Sequence, residues 1–416
     1  MAVRNILILT SSFPYDGGEQ FIESEIRFWE QSKFNNIYIL PNSQKGGIRN
    51  FPERIKLISN PNEKRFKLFY LIKALLSFVF FKELIFLVLN SNNKFYWRSY
   101  WAVLKTCANI VLQKEKIERA IVGLEGDFLV YSYWNDVTAY AACLLKRKGK
   151  VKQVVSRAHG ADLYKERREY HYMPIKWQFS NDYNELFLLS DSALKYYSSN
   201  YGARNNILSV SRLGVDLPLK YPSYIFNPKK IRVLSISYCV PVKRIDKIIE
   251  ALSQYAYLNS IEIEWTHIGG GDLFNSLGSR AKYLADEIPE FNFNFVGQVA
   301  NADVKKMLQK NSYDIFINTS ESEGIPVSIM EAMSYGIPAI APDVGGITDL
   351  VKHKKNGYLM SQHSDISEII DGIKYLHNES VAIQNRVNAR EWILKEFNAE
   401  VNYLKFINKI ENIAEM

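Results

Sequence analysis

The sequence predicts an α/β protein built from two doubly wound, Rossmann-like domains, on three observations. At 416 residues the chain is longer than one ordinary core supports. Short apolar runs alternate with helical patterns along its length, the signature of parallel sheets covered by helices. The runs also fall into two series separated by "DLPLKYPSYIFNPKK" (216–230), which holds three prolines and no periodicity and reads as a linker.

In the first series the expected strands are "NILILT" (5–10), "IYIL" (37–40), "FLVYSY" (128–133), "VKQVVSRA" (151–158) and "LFLLS" (186–190). In the second they are "IRVLSISY" (231–238), "IEIEWTHIG" (261–269), "FNFNFVG" (291–297), "DIFINTS" (314–320) and "PAIAP" (338–342). From residue 365 onward the pattern is helical, and the apolar spacing of "AEVNYLKFINKIENI" fits a last helix that returns to the first domain. The expected domains are therefore 1–220, joined by 399–416, and 221–398.

With 47% hydrophobic and 23% charged residues, and no repeat or low-complexity tract, the chain is globular and ordered. Cys107, Cys143 and Cys239 lie far apart in apolar surroundings, without Cys-x-x-Cys or Cys/His spacing, and read as buried thiols of a reducing compartment. The apolar run before Thr10 is too short for the core of a signal peptide, so the expected location is the cytoplasm.

The net charge of +8 is uneven: between residues 61 and 120, eleven lysines and arginines stand against four glutamates, a net +7. The same region holds the most apolar stretch, "LFYLIKALLSFVFFKELIFLVL" (68–89), with Lys82 and Glu83 inside it. A charge at a bilayer centre costs ~2.5–3.5 kcal/mol, so a transmembrane span is rejected. Two readings stay open: an amphipathic helix packed into its own domain, or one that also rests on an anionic membrane surface along 64–119, on the inner face of the cell membrane. No nucleic-acid-binding motif accompanies the charge.

The stretch "ESEGIPVSIMEAMSYGIPAIAPDVGG" (321–346) has the layout of a ligand site at the end of a parallel strand: strand, loop, helix. Pro326 suits a first helical position, and the N–H groups of Val327 and Ser328, after Ile325, would point at an anion such as a diphosphate. Glu331, one to two turns further in, could accept hydrogen bonds from the vicinal hydroxyls of a ribose, and Glu323 on the loop before the helix could hold a second polyol. The plain alternative is an exposed helix with two solvated glutamates.

The arrangement Glu-Gly-x-Pro-x-x-x-x-Glu-Ala-Met-x-x-Gly-x-Pro beginning at Glu323, followed by Gly345-Gly346, resembles the retaining glycosyltransferases of family 4, two-domain GT-B enzymes of the bacterial surface-polysaccharide type. The resemblance implies that Lys243, in "VLSISYCVPVKRIDKIIEAL" (233–252), binds the donor diphosphate. An arginine common five positions earlier is Tyr238 here, and Arg244 is the candidate substitute. "HIGGGDL" (267–273), with Gly270, and "FVGQV" (295–299), with Val299, resemble the turns around the base. "SSFPYDGGEQFIESEI" (11–26) resembles the glycine loop in which Gly17 and Gly18 let the backbone approach the donor. Glu19 there is either an acceptor-side residue or an acid in a helix's first turn. "SRAHGADLY" (156–164) resembles the segment that carries a site histidine, His159, with Asp162 on the same loop, and Arg212 in "SRLGVD" (211–216) is placed on the acceptor side.

The resemblance implies transfer from a nucleotide diphosphate sugar with retention and without a covalent nucleophile, catalysed by charge stabilisation and positioning through His159, Lys243 and Glu323. The expected acceptor is a saccharide, free or on a polyprenyl diphosphate. No Asp-x-Asp occurs, so fixed cations are expected in place of a metal ion, and no cofactor is expected. The alternatives are a nucleotide-sugar epimerase of the same fold and a catalytically silent partner of a transferase.

Overall fold

The computed structural model describes residues 3–16, 18–19, 21–59, 67–90, 97–168 and 171–416. They form two compact units, Met1–Ser211 with Tyr403–Met416, and Arg212–Asn402. The boundary falls at 211/212 rather than at 220/221 because Val215 is tied into the second unit: its N–H donates to Phe397 O (2.9 Å) and its carbonyl accepts from Ala399 N (3.1 Å).

The first unit holds a parallel sheet of seven strands, β1 (Asn5–Thr10), β2 (Asn36–Pro41), β3 (Ile55–Leu57), β4 (Phe128–Ser132), β5 (Gln153–Ala158), β6 (Glu185–Leu188) and β7 (Leu208–Val210), in the order β3-β2-β1-β4-β5-β6-β7. Every residue of β1, β4 and β5 is buried, which is why polar and apolar residues do not alternate along these segments. Tyr403–Met416 closes on this unit. The Arg157 guanidinium lies 3.8 Å from the Phe406 ring centroid, and Val3 N–H donates to Ala414 O (2.8 Å).

The second unit is a parallel sheet of six strands, β8 (Lys230–Ile236), β9 (Glu262–Ile268), β10 (Phe291–Gly297), β11 (Ile315–Ile317), β12 (Ala339–Pro342) and β13 (Gly357–Met360), in the order β10-β9-β8-β11-β12-β13. In each sheet the chain order reverses once, between β1 and β4 and between β8 and β11. Ligands of open parallel sheets bind beyond the strand ends at such a switch point, where the flanking loops splay apart.

The apolar stretch 68–89 forms two helices, Lys67–Leu75 and Phe78–Asn90, not one. Ser77 makes the break: its hydroxyl donates to Ala74 O (2.7 Å) and accepts from Phe80 N (3.2 Å), capping the second helix. Tyr70, Ala74 and Phe80 point inward, into one buried cluster with Val103, Cys107 and Ile110 of the helix Trp97–Ile121. The opposite face is apolar as well, and exposed.

Candidate active site

In the second unit the loop after β8 makes one tight turn, Pro241–Lys243, passes Arg244 in the left-handed region (φ 48°), and enters the helix Ile245–Asn259. This delivers Lys243 to the switch point from the β8 side. From the β11 side comes Glu323, whose Oε1 accepts from Lys243 Nζ (2.6 Å) and from Asn318 Nδ2 (3.3 Å). The two loops are sewn together beneath this pair: Thr319 Oγ1 donates to the carbonyls of Lys243 and Arg244 (2.9 Å each), and Glu321 N–H donates to Val242 O (2.9 Å). A lysine and a glutamate eighty positions apart thus meet through neighbouring strands.

The double glycine that ends the 321–346 stretch supports Glu323 from behind. Gly345 has φ +57°, and a Cβ there would sit 2.0 Å from Glu323 O, while Gly346 N–H donates to Gly324 O (2.6 Å). No other residue lets the backbone pass so close. Pro326 is the N-cap, one position earlier than expected, and the helix runs Val327–Ser334 with no side chain capping its start. Ile329 N–H makes the first helical bond, to Pro326 O (3.2 Å), so Val327 and Ser328 precede the bonded turns and supply the positive end of the helix. Ile325 is buried under Gly346, and Val327 and Ser328 are half-buried.

Glu331 stands in the second turn of this helix, buried, with Oε1 accepting from Asn301 Nδ2 (3.1 Å). Burial pushes its carboxyl up, against the opposing pull of Asn301 and Lys305. Arg244 is held by two carboxylates, Asp246 (2.9 Å) and Glu321 (2.8 Å), so it would have to exchange one of them to meet a phosphate. Tyr238, at the arginine position, is half exposed. Gly270 serves through its carbonyl, which accepts from Cys239 N–H (2.8 Å), and Val299 lies half-buried after β10. Arg212 lies 4.0 Å from the Glu396 carboxylate.

In the first unit the loop after β1 is shaped by Glu19. Its Oε1 accepts from Ser11 N (2.9 Å) and Trp134 Nε1 (2.5 Å), and its Oε2 from Ser12 N and Phe13 N (2.7 Å each). Of the two expectations for this residue, the structure corrects the acid in a helix's first turn. Glu19 precedes the helix Ile22–Ile26, with φ 57°, and its carboxylate turns back to organise the loop. Gly18 O accepts from Arg49, and Gly17 lies outside the described residues.

His159 follows β5. Its ring stacks on Tyr133 (centroids 4.9 Å apart, 18° between planes) and lies against Trp134 (4.6 Å). Neither ring nitrogen has a hydrogen-bond partner among the described residues, and burial, with Arg157 nearby, pushes the imidazole well below its ordinary value. The neutral ring offers one donor and one acceptor. Asp162 stays behind the histidine: one oxygen accepts from His159 N–H and the other from Asn135 N–H (2.6 Å). Asn135 in turn accepts from the fully buried ammonium of Lys176, at its carbonyl (2.8 Å) and its side chain (2.5 Å). Burial pushes the Asp162 carboxyl up and the Lys176 ammonium down, and each charge holds the other back. Asn135, Lys176, Asn301 and Asn318 were not expected from the sequence, although "YWND" (133–136), at the end of a strand, marked the place of the first.

Residues 220–392 match the family model for glycosyl transferases group 1. The second unit is a group 1 glycosyltransferase domain. The match contains Lys243, Glu323 and Glu331. The amylovoran biosynthesis glycosyltransferase AmsK of Erwinia amylovora is 26% identical over 289 residues, 66% of this chain and 69% of that protein. The UDP-Gal:alpha-D-GlcNAc-diphosphoundecaprenol alpha-1,3-galactosyltransferase of Escherichia coli is 28% identical over 146 residues, 35% of each chain. Among solved structures, the apo form of the lipopolysaccharide outer core galactosyltransferase WaaB superposes with a TM-score of 0.68 at 17% identity, over 99% of this chain and all of that one. That likeness gives the group 1 domain and the first unit together the GT-B fold.

Proposed function

We propose that this protein transfers a sugar, with retention of anomeric configuration, from a nucleotide diphosphate sugar to a saccharide acceptor carried on a polyprenyl diphosphate, in the assembly of a bacterial surface polysaccharide. The observation that carries the reading is the Lys243–Glu323 pair at the β8/β11 switch point, beside an uncapped helix start and two turns ahead of a buried Glu331. In this reading the diphosphate takes over the Lys243 ammonium and meets the N–H groups of Val327 and Ser328, which stabilise the charge that grows on the leaving group. Glu331 accepts from the ribose hydroxyls. Glu323, held by Asn318, accepts from the sugar. Fixed cations do the work of a metal ion. In the first unit His159 presents a neutral ring to a hydroxyl. The lipid-borne acceptor is supported by the Escherichia coli relative, whose name carries diphosphoundecaprenol, and the polysaccharide role by AmsK. A net +7 over residues 61–120 supports a cytoplasmic chain resting on an anionic membrane surface.

Calorimetric titration in EDTA with UDP, GDP and their sugars tests the donor site. One nucleotide should bind without metal, and Glu331→Ala should weaken it about ten- to a hundredfold, the worth of one or two hydrogen bonds to a charged group. No binding to any of them would overturn the transferase reading in favour of a silent partner, for which Tyr238 in the arginine's place speaks. Binding followed by release of an epimerised sugar would favour the epimerase.

A further inference from the structure

The paired helices Lys67–Leu75 and Phe78–Asn90 are apolar on both sides. Their inner side is secured. Tyr70 OH donates to Glu115 (3.0 Å), and the fully buried Glu83 carboxylate accepts from Tyr172 OH, from Ile175 N (2.7 Å) and from Gln178 Nε2 (2.6 Å). Their outer side carries Leu68, Ile72, Leu76, Phe78, Ile85 and Leu89 at 68, 51, 78, 79, 61 and 78% exposure. These recur at helical spacing, and two of the most exposed among them, Leu76 and Phe78, flank Ser77 at the corner between the helices. Exposed large apolar side chains gathered on one pair of helices mark an interaction surface.

The charge around it identifies the occupant. In sequence the pair is preceded by Lys64 and Arg65, opens on Lys67 and is followed by Lys94 and Arg98, and Lys82 lies within it, over the Trp177 ring (4.9 Å). An apolar face within a stretch of sequence that carries a net +7 (61–120) fits the boundary between anionic headgroups and hydrocarbon, which takes both cations and apolar side chains. The helices are too short to cross. At 1.5 Å per residue they measure about 14 and 20 Å against a hydrocarbon core of about 30 Å, and no helix among the described residues is long and apolar enough for a span.

We propose that this helical pair inserts in the plane of one leaflet of an anionic bilayer, with Leu76 and Phe78 at the corner as its deepest side chains. The proposal deepens, and rests on, the membrane part of the function proposed above: hydrophobic insertion, rather than attraction to surface charge alone, holds the protein to the lipid.

The test is sedimentation of the full chain with vesicles of phosphatidylcholine and phosphatidylglycerol, at low salt and at about 1 M NaCl, where screening leaves only about 3 Å of electrostatic reach. Insertion predicts that binding survives high salt, and that the double variant Leu76→Glu, Phe78→Glu lowers the partition coefficient on the order of a hundredfold, about tenfold for each half-buried side chain lost. Both side chains are exposed, so the variant should fold, and its nucleotide binding should be unchanged. Release by salt from the native chain, with the double variant bound equally at low salt, would overturn insertion while leaving surface attraction. Absence from vesicles at any salt would overturn insertion and the membrane seat together, and nucleotide titration would judge the transferase separately. A native chain that is dimeric without lipid, and a variant that is monomeric, would assign the face to a second copy and overturn the proposal.

Discussion

Glu19→Gln separates a loop-organising carboxylate from one that touches substrate. The native side chain takes four N–H donors with two oxygens, Ser11 N–H and the Trp134 indole on Oε1 and Ser12 and Phe13 N–H on Oε2, where the rotatable Ser12 hydroxyl also bonds (3.3 Å). Glutamine keeps the shape but turns one oxygen into an amide NH2, which faces two donors whichever way it lies. Each stranded donor costs about 1–3 kcal/mol, giving about 2–6 kcal/mol, and the two surviving bonds drop from charge-assisted to neutral strength. Urea unfolding of the first unit, followed by tryptophan fluorescence because Trp134 is one of the partners, should show the loss. Transfer to acceptor should fall with it as the loop loosens, while nucleotide affinity in the second unit stays. A variant with native stability and abolished transfer would refute the reasoning, because the carboxylate would then be working on the acceptor and not on its own loop.

Other outcomes follow from the same geometry. Arg157 and Glu25 form a buried ion pair (2.5 Å), so Arg157→Ala should destabilise the first unit by about 3–5 kcal/mol in urea melts, whereas Arg157→Met combined with Glu25→Leu should recover most of the loss. His267 is buried between Ser235 Oγ (2.8 Å) and Cys239 Sγ (3.3 Å), and burial lowers its pKa to about 4. The unfolded chain, near 6.5, then binds the proton first, so the stability owed to this neutral ring is complete above about pH 6.5 and is lost as pH falls to about 4, at up to about 1.4 kcal/mol per unit. Its ring resonances should therefore not titrate above about pH 5, and a midpoint near 6.5 would contradict the burial argument.

What the sequence displayed and what it hid divide along physical lines. Strands such as β1, β5 and β8 were legible because six or seven residues, buried throughout in β1 and β5 and partly alternating in β8, are enough to leave a pattern. The three-residue β3 and β7, and β13 with its Gly357, were not, because so few positions define no period. The loop–helix of 321–346 announced itself through Pro326 and the paired glycines, whose reasons are local. The Lys243–Glu323 contact depends on β8 lying beside β11, which only the strand order sets. Glu19 shows the same limit: an acid between a glycine loop and a helix looks like a first-turn residue until the backbone is seen to double back. Glu83 argued against a membrane span by its presence, but one-dimensional pattern could not say that it faces inward to three donors while its apolar neighbours face out.

That inward turn has a mechanical meaning. Glu83 grips the backbone of Ile175, and the next residue is Lys176, whose buried ammonium is held by both oxygens of Asn135; the N–H of Asn135 is bound by Asp162, which with its other oxygen binds the N–H of His159. Every link is a hydrogen bond to a buried charge, and a buried charge that loses its partner costs several kcal/mol, so the chain has no cheap point at which to slip. A displacement of the helix Phe78–Asn90 large enough to break the Glu83 contacts would also strand the acceptors of Lys176. The helix Phe78–Asn90 and the histidine loop are therefore tied by one unbroken path of buried bonds, and on the membrane seat proposed above that path would set the height of His159 over the bilayer.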